Sequence, residues 1–217
     1  MSLKSFLFVT FFCVFILTLN AQRNYGGYNH LGINGGISIY NITTPNFETE
    51  SGTGFVAGFT TRGEFYGSFD ILYGISFSNS ELGIKASNAL NTQFVDYQIQ
   101  GVQLNVLGSY NIIRNHLSIE AGPVLNVNGK MNLKSESFED YIIDGYTTIR
   151  TQDIQDISTF NVHAVGGIMA GIENVRLSAQ YQYGINNMFN SLNDKNLEES
   201  NFKGNSSNVV LAIYVYF

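Results

Sequence analysis

Four charged residues are the main candidates for chemistry: Arg62, Asp70, Glu120 and Arg176. Two carboxylates among two guanidinium groups can hold a proton, constrict an ion path or lock an interior, provided the four meet. Away from water they must pair, because an isolated ionised group there is costly. The expectation is a lumenal charge cluster in which Glu120 and Asp70 face Arg176 and Arg62.

Other chemistry is sparse. His30, His116 and His163 are scattered, with no ligand cluster at zinc spacing. Asp156, Ser158 and His163 offer an acid, a hydroxyl and a base. Ser158 and His163 differ in parity, so on a strand they point to opposite faces, and a hydrolytic relay needs mutual hydrogen-bond reach. Glu136, Glu139, Asp140 and Asp144 could bridge a divalent cation, but their spacing matches no EF-hand loop. Phosphate-cradling loops, Cys-x-x-Cys and His-Glu-x-x-His motifs are absent. The reading is non-enzymatic, with no catalytic residue, cofactor or metal.

The elements that must position the quartet follow from composition and patterning. The chain has 217 residues, 44% of them hydrophobic, and a net charge of −6, which excludes a disordered chain. Only 13% are charged, about half the usual ~25%. A pI near 4.9 and no basic stripe exclude a nucleic-acid partner.

Residues 1–21 read as a signal peptide. Lys4 supplies the positive start, Phe6 to Leu19 the apolar core, and Leu19-Asn20-Ala21 a small-residue cleavage site before Gln22. The core is short for a helix crossing ~30 Å of hydrocarbon. Cys13, the only cysteine, lies inside it, so residues 22–217 carry no disulfide or thiolate. These residues form the expected single domain.

Beyond residue 22 the recurring signal is alternation with period two, the mark of strands with one apolar face. Eight segments show it, at about 30–41, 54–62, 65–78, 94–113, 116–129, 158–172, 175–187 and 208–217. In the seventh, Val175, Leu177, Ala179, Tyr181, Tyr183 and Ile185 oppose Arg176, Ser178, Gln180, Gln182 and Gly184. Each of the four cluster candidates falls on the polar face near a short link, so their heights match. The fourth segment slips phase, with Val95, Tyr97 and Ile99 odd and Val102 onward even, which predicts a β-bulge at Gly101. Pro123 cannot donate to a ladder and predicts a bulge or distorted pairing there.

Links alternate in length. Tight ones are expected at Gly63-Glu64, Arg114-Asn115 and Glu173-Asn174; the others run to about 12, 15, 28 and 20 residues and hold 12 of the 17 acidic residues. Short turns on one rim and long polar loops on the other are the pattern of an eight-stranded antiparallel up-and-down transmembrane barrel, with both termini on the periplasmic side. The apolar faces carry no charge, as a lipid-facing surface requires, since a lipid-facing Lys or Arg costs about 2–4 kcal/mol at the midplane. Aromatics near strand ends (Phe65, Tyr110 and Phe217 low; Phe77, Phe94 and Phe189 high) suit interfacial girdles. The competing reading is a secreted soluble barrel that buries the apolar set around a ligand.

Leu117-Ser118-Ile119-Glu120-Ala121-Gly122-Pro123 resembles the Gly-Pro strand of the small outer-membrane β-barrels of Bacteroidetes, the PorT-like family. Tyr181-Gln182-Tyr183-Gly184-Ile185-Asn186-Asn187 resembles that family's penultimate strand. The resemblance covers roughly residues 25–217 and implies an eight-stranded barrel in a Gram-negative outer membrane. Some such proteins assist secretion or gliding machinery, and the family shares no catalytic residues. The expected role is structural or partner-binding, with outer-membrane lipid around the barrel and a protein partner at loops 130–157 and 188–207, where binding on a rigid scaffold usually lives. A narrow porin-like channel or a secretion accessory is the alternative.

Overall fold

Period-two patterning becomes long antiparallel strands in the computed structural model, which describes residues 28–217. The signal peptide expected over 1–21 lies outside the described residues. The strands are β1 (Asn29–Thr43), β2 (Thr49–Tyr66), β3 (Phe69–Ser87), β4 (Thr92–Ile113), β5 (Leu117–Leu133), β7 (Phe160–Gly171), β8 (Val175–Gly184) and β9 (Asn205–Tyr216), with a two-residue loop strand, β6 (Ile142–Ile143). Each long strand pairs with its chain neighbours, and β1 pairs with both β2 and β9, so eight strands close into a ring.

The outward residues of each strand form an apolar belt. It runs from Leu31 to Ile39 on β1, Phe69 to Phe77 on β3, Val102 to Ile112 on β4 and Val209 to Phe217 at β9. Such spans match the ~9–11 residues a tilted membrane strand needs. Strand register keeps the upper edge of the belt level: Ile39 opposes Val209, Phe77 opposes Val102, Val102 opposes Val127, and Val127 opposes Phe160. Ile37, Phe59 and Leu177 are 64%, 62% and 62% exposed. A soluble barrel would bury this set, so the inward-facing alternative is overturned.

Above the belt the polarity inverts. On β3 the outward row changes from Phe77 to Asn79 and Glu81, while the inward row changes from Ser76 and Ser78 to the buried Leu82, Ile84 and Ala86. The same inversion explains the phase slip on β4. Val95, Tyr97 and Ile99 point inward, Val102 points outward, and burial stays on odd positions throughout. The expected bulge at Gly101 is therefore corrected: that backbone does not slip, and its surroundings change from membrane to water. The extra residue lies on the partner strand, where Ile99 opposite Met131 is followed by Gly101 opposite Asn128. Inward facing passes from even to odd positions on β5 across Gly129–Lys130. At Gly122 and Pro123 the β4–β5 ladder skips two steps and resumes in the same register.

Because the first three expected segments stop near the upper edge of the belt, two loops come out far shorter than expected. β3 and β4 each run ten residues past the belt before turning at residues 88–91, and β1–β2 turns at residues 44–48. The first tight link also moves from Gly63-Glu64 to Gly67–Ser68, since β2 continues to Tyr66 and pairs it with Phe69. Gly67 takes φ +59°, a left-handed conformation that glycine adopts without a Cβ clash.

Strands β2 to β5 thus form a tall wall above the belt, while β7, β8 and β9 end near its upper edge. The 134–159 and 185–204 loops fold over the low side and pack against the wall's inner face. The longer loop crosses the mouth, and β6 pairs with Ala86 and Ser87 of β3. Tyr40 of β1 and Ile84, Tyr97 and Met131 of the wall bury against Phe47, Ile154, Phe189 and Phe202 of the loops. Phe189 is fully buried in this cap, which corrects its expected place in a girdle.

Candidate functional site

The lower lumen is built from the polar faces of all eight strands. Narrowness requires close backbone approach: a Cβ on inward-facing Gly58 would collide with the Ile75 carbonyl and the Ser76 Cα. Arg62 enters from β2 and is 1% exposed. Its Nε donates to Asp70 Oδ2 at 2.7 Å, and Nη2 donates to Ser109 Oγ and Asn111 Oδ1, both at 3.0 Å. Nη1 lies 3.7 Å from Glu120 Oε1 and 3.3 Å from the Met169 sulfur. A rigid guanidinium fork with five donors can serve two carboxylates and several neutral acceptors at once.

Asp70 Oδ2 is a hub. Besides Arg62 it accepts from Asn111 Nδ2 at 3.0 Å and from the Tyr28 hydroxyl at 2.6 Å. Gln180 Nε2 donates to Glu120 Oε2 at 3.3 Å. Three of the four expected residues, Arg62, Asp70 and Glu120, therefore stand together. Arg176 projects into the same end of the lumen from β8, 2% exposed, but no carboxylate lies within ion-pair distance, and its Nε and Nη1 have no hydrogen-bond partner among the described residues. Ser109 and Asn111, on the inward face of β4, join the cluster without having been expected there. Aligning the short links would have found them, since Asp70 opposes Ser109 directly. Tyr28 had no such signal, as it precedes the first strand.

Higher in the lumen, His163 Nε2 and Ser206 Oγ lie 2.9 Å apart, and among the described residues no carboxylate bonds this pair. Ser158 instead donates to the Asn187 carbonyl at 2.9 Å, so Asp156, Ser158 and His163 do not assemble. The His30 ring lies tilted against Tyr28 with centroids 5.0 Å apart, and His116 sits at a turn beside the Arg114 carbonyl. No group of three metal-ligating side chains occurs among the described residues. Two lumenal cavities, lined by Gln103, Asn126 and His163 and by Asn34, Asn105 and Gln182, measure about 10 and 20 Å³. A single water needs about 10–15 Å³.

The cap is stitched by its own polar contacts. Glu198 accepts from the backbone N–H groups of Thr147 and Thr148, both at 2.9 Å, and from both hydroxyls at 3.0 Å, clamping one long loop to the other. The Thr147 and then the Thr148 amide hold the Glu198 carboxyl below its ordinary 4.5. A depressed folded-state value means that the clamp is in force above 4.5 and fails as pH falls through the folded value. Amide protection at Thr147 and Thr148, corrected for intrinsic exchange, should hold at neutral pH and collapse in that acid window. Glu198→Gln should lower protection at neutral pH and flatten the profile; an unchanged profile would dismiss the clamp.

Among solved structures, the chain is similar to Neisserial surface protein A at 12% identity, covering 86% of this chain and 97% of that one, with a TM-score of 0.49. It is also similar to Ail, the attachment invasion locus protein of Yersinia pestis, in complex with the heparin analogue sucrose octasulfate, at 12% identity, 87% and 99% coverage and a TM-score of 0.47. No curated protein matches it in sequence. The family model described as outer membrane protein beta-barrel domain matches residues 20–190, and with its closed ring and apolar belt the chain belongs to that outer-membrane β-barrel family.

Proposed function

We propose that this is a closed, non-enzymatic outer-membrane barrel with a structural or partner-binding role, exercised through a rigid extracellular cap. The observation that carries the reading is double closure. Polar side chains fill the lumen to cavities of about 10 and 20 Å³, and an apolar core seals the mouth above them. An eight-stranded barrel is just wide enough for its side chains to fill. Loops already packed and clamped lose less freedom on binding than loose ones, which favours partner recognition over solute passage.

The purified barrel in planar bilayers should give no unitary conductance steps. Regular steps abolished by widening-insensitive blockers of the lumen, or altered by Arg62 substitution, would replace this reading with the narrow-channel one. The Gly122–Pro123 strand and the Tyr181–Asn187 segment support, by resemblance, a PorT-like secretion accessory as the second reading; loss of the gene should then reduce export of other proteins. Residues 1–21 act in this reading as a cleaved signal peptide. Intact mass of the protein from membranes should correspond to a chain beginning at Gln22, and retention of Met1 would refute cleavage.

A further inference from the structure

A groove of about 420 Å³ opens on the outer wall where β5 meets the two long loops. Asn128, Lys130, Asp156, Thr159, Ser191 and Lys195 supply its polar lining. Its height is set by register. Val127 and Phe160 oppose each other at the upper edge of the belt, and the next residues, Asn128 and Thr159, are joined by an N–H to carbonyl bond of 2.8 Å. The groove therefore stands at headgroup depth, directly above lipid-facing strands.

Its charge pattern differs from the rest of the rim. Lys134 is closed by Glu81 at 2.9 Å, and Lys85 by Glu48 at 2.8 Å with Asp144 at 3.7 Å. In the groove two ammonium groups share one carboxylate: Lys130 Nζ lies 3.0 Å from Asp156 Oδ1, and Lys195 Nζ 2.6 Å from Oδ2. Lys195 Nζ also donates to the Asp153 carbonyl at 2.8 Å. The Asp153 carboxylate turns away, accepting the Arg150 N–H at 2.9 Å. Each ammonium has three donors, so two remain on Lys130 and one on Lys195. The lining carries a surplus of one positive charge. At physiological salt a Debye length of about 8 Å screens the more distant acidic residues of the cap, leaving the local surplus to act.

We propose that this groove binds the phosphate of an outer-leaflet lipid, whose acyl chains lie on the belt of β5 and β7 below. The two lysines and the Ser191 and Thr159 hydroxyls are donors for phosphate oxygens. Asp156 holds both lysines in place and limits their pull. The site is independent of whether the barrel binds a protein partner or conducts.

The test uses the full mature chain in bilayer discs of phosphatidylcholine alone or phosphatidylcholine with phosphatidic acid, read as the midpoint of the heat-induced gel shift. Phosphatidic acid should raise the wild-type midpoint by roughly 2–4 °C, the shift expected of a modest ligand on a chain of this size. Lys130→Gln with Lys195→Gln should fold in phosphatidylcholine and lose the increment. Asp156→Asn, which frees both ammonium groups, should enlarge it. An equal increment in wild type and the double variant would mean a general surface effect and overturn the proposal. Inorganic phosphate reproducing the increment in phosphatidylcholine discs would also overturn it, in favour of a soluble-anion site.

Discussion

Arg62→Met should lower the unfolding free energy of the barrel by about 3–5 kcal/mol, the cost of leaving buried charges without their partner. Asp70 and Glu120 lose the same guanidinium, at 2.7 and 3.7 Å, and Asp70 keeps only its neutral donors Tyr28 and Asn111. Arg176→Met is the contrast. Its guanidinium is as buried but, among the described residues, touches no carboxylate and leaves two of its nitrogens unsatisfied. Removing an unpaired buried charge relieves desolvation, so this change should be near neutral or stabilising. Urea midpoints of the refolded barrel in micelles compare the two. The triple change Arg62→Met, Asp70→Asn, Glu120→Gln should recover most of the loss, because replacing a whole buried ionic group is often nearly neutral. Equal losses at Arg62 and Arg176 would mean that both guanidiniums serve the carboxylates alike, against the geometry.

This asymmetry marks the limit of what the sequence could say about the site. Parity and nearness to short links locate all four charges at one end of the lumen, because both are properties of the backbone. Which arginine takes the carboxylates depends on side-chain reach across the lumen. Arg62 stands eight residues from Asp70 across a tight hairpin, and its fork also reaches Glu120, leaving Arg176 without either. The fold shows a similar division. Ring closure and the belt are legible because lipid imposes a strict apolar alternation. The extramembrane wall is not, because alternation is blind to the solvent. Ile99 and Val102 are both apolar, yet one faces a dry cap and the other the membrane, and the change between them mimics a slip of the chain. The same blindness turned the upper half of β3 into an apparent loop and made Phe189 look like a girdle residue. Loop length and acidity are equally silent on packing, while isolated apolar residues such as Ile154, Leu192 and Phe202 fix those loops against the wall.

Phe189→Ala is expected to separate the cap from the barrel. Phe189 is fully buried, meets Phe47 edge-to-face at 5.2 Å, and leaves no room for a Cβ on Gly204. Truncating such an aromatic costs about 3–5 kcal/mol, part lost transfer and part cavity. The loss falls on the cap, since Phe189 packs in the cap's apolar cluster, whose members include neither belt residues nor the Arg62 group. The loops are held by the apolar core, the two-residue pairing of β6 and the Glu198 clamp. Their local stability is therefore small beside that of eight hydrogen-bonded strands, and sub-global opening is the expected response. Limited proteolysis of the variant in discs should cut within 134–159 and 185–204, while the nicked barrel keeps its heat-induced shift. Loss of the shift together with loop cleavage would show one cooperative unit, and unchanged resistance would show that Phe189 does not hold the lid. The selective outcome ties the cap's order to a packed core, and so ties any partner site on it to a surface that the barrel presents already formed.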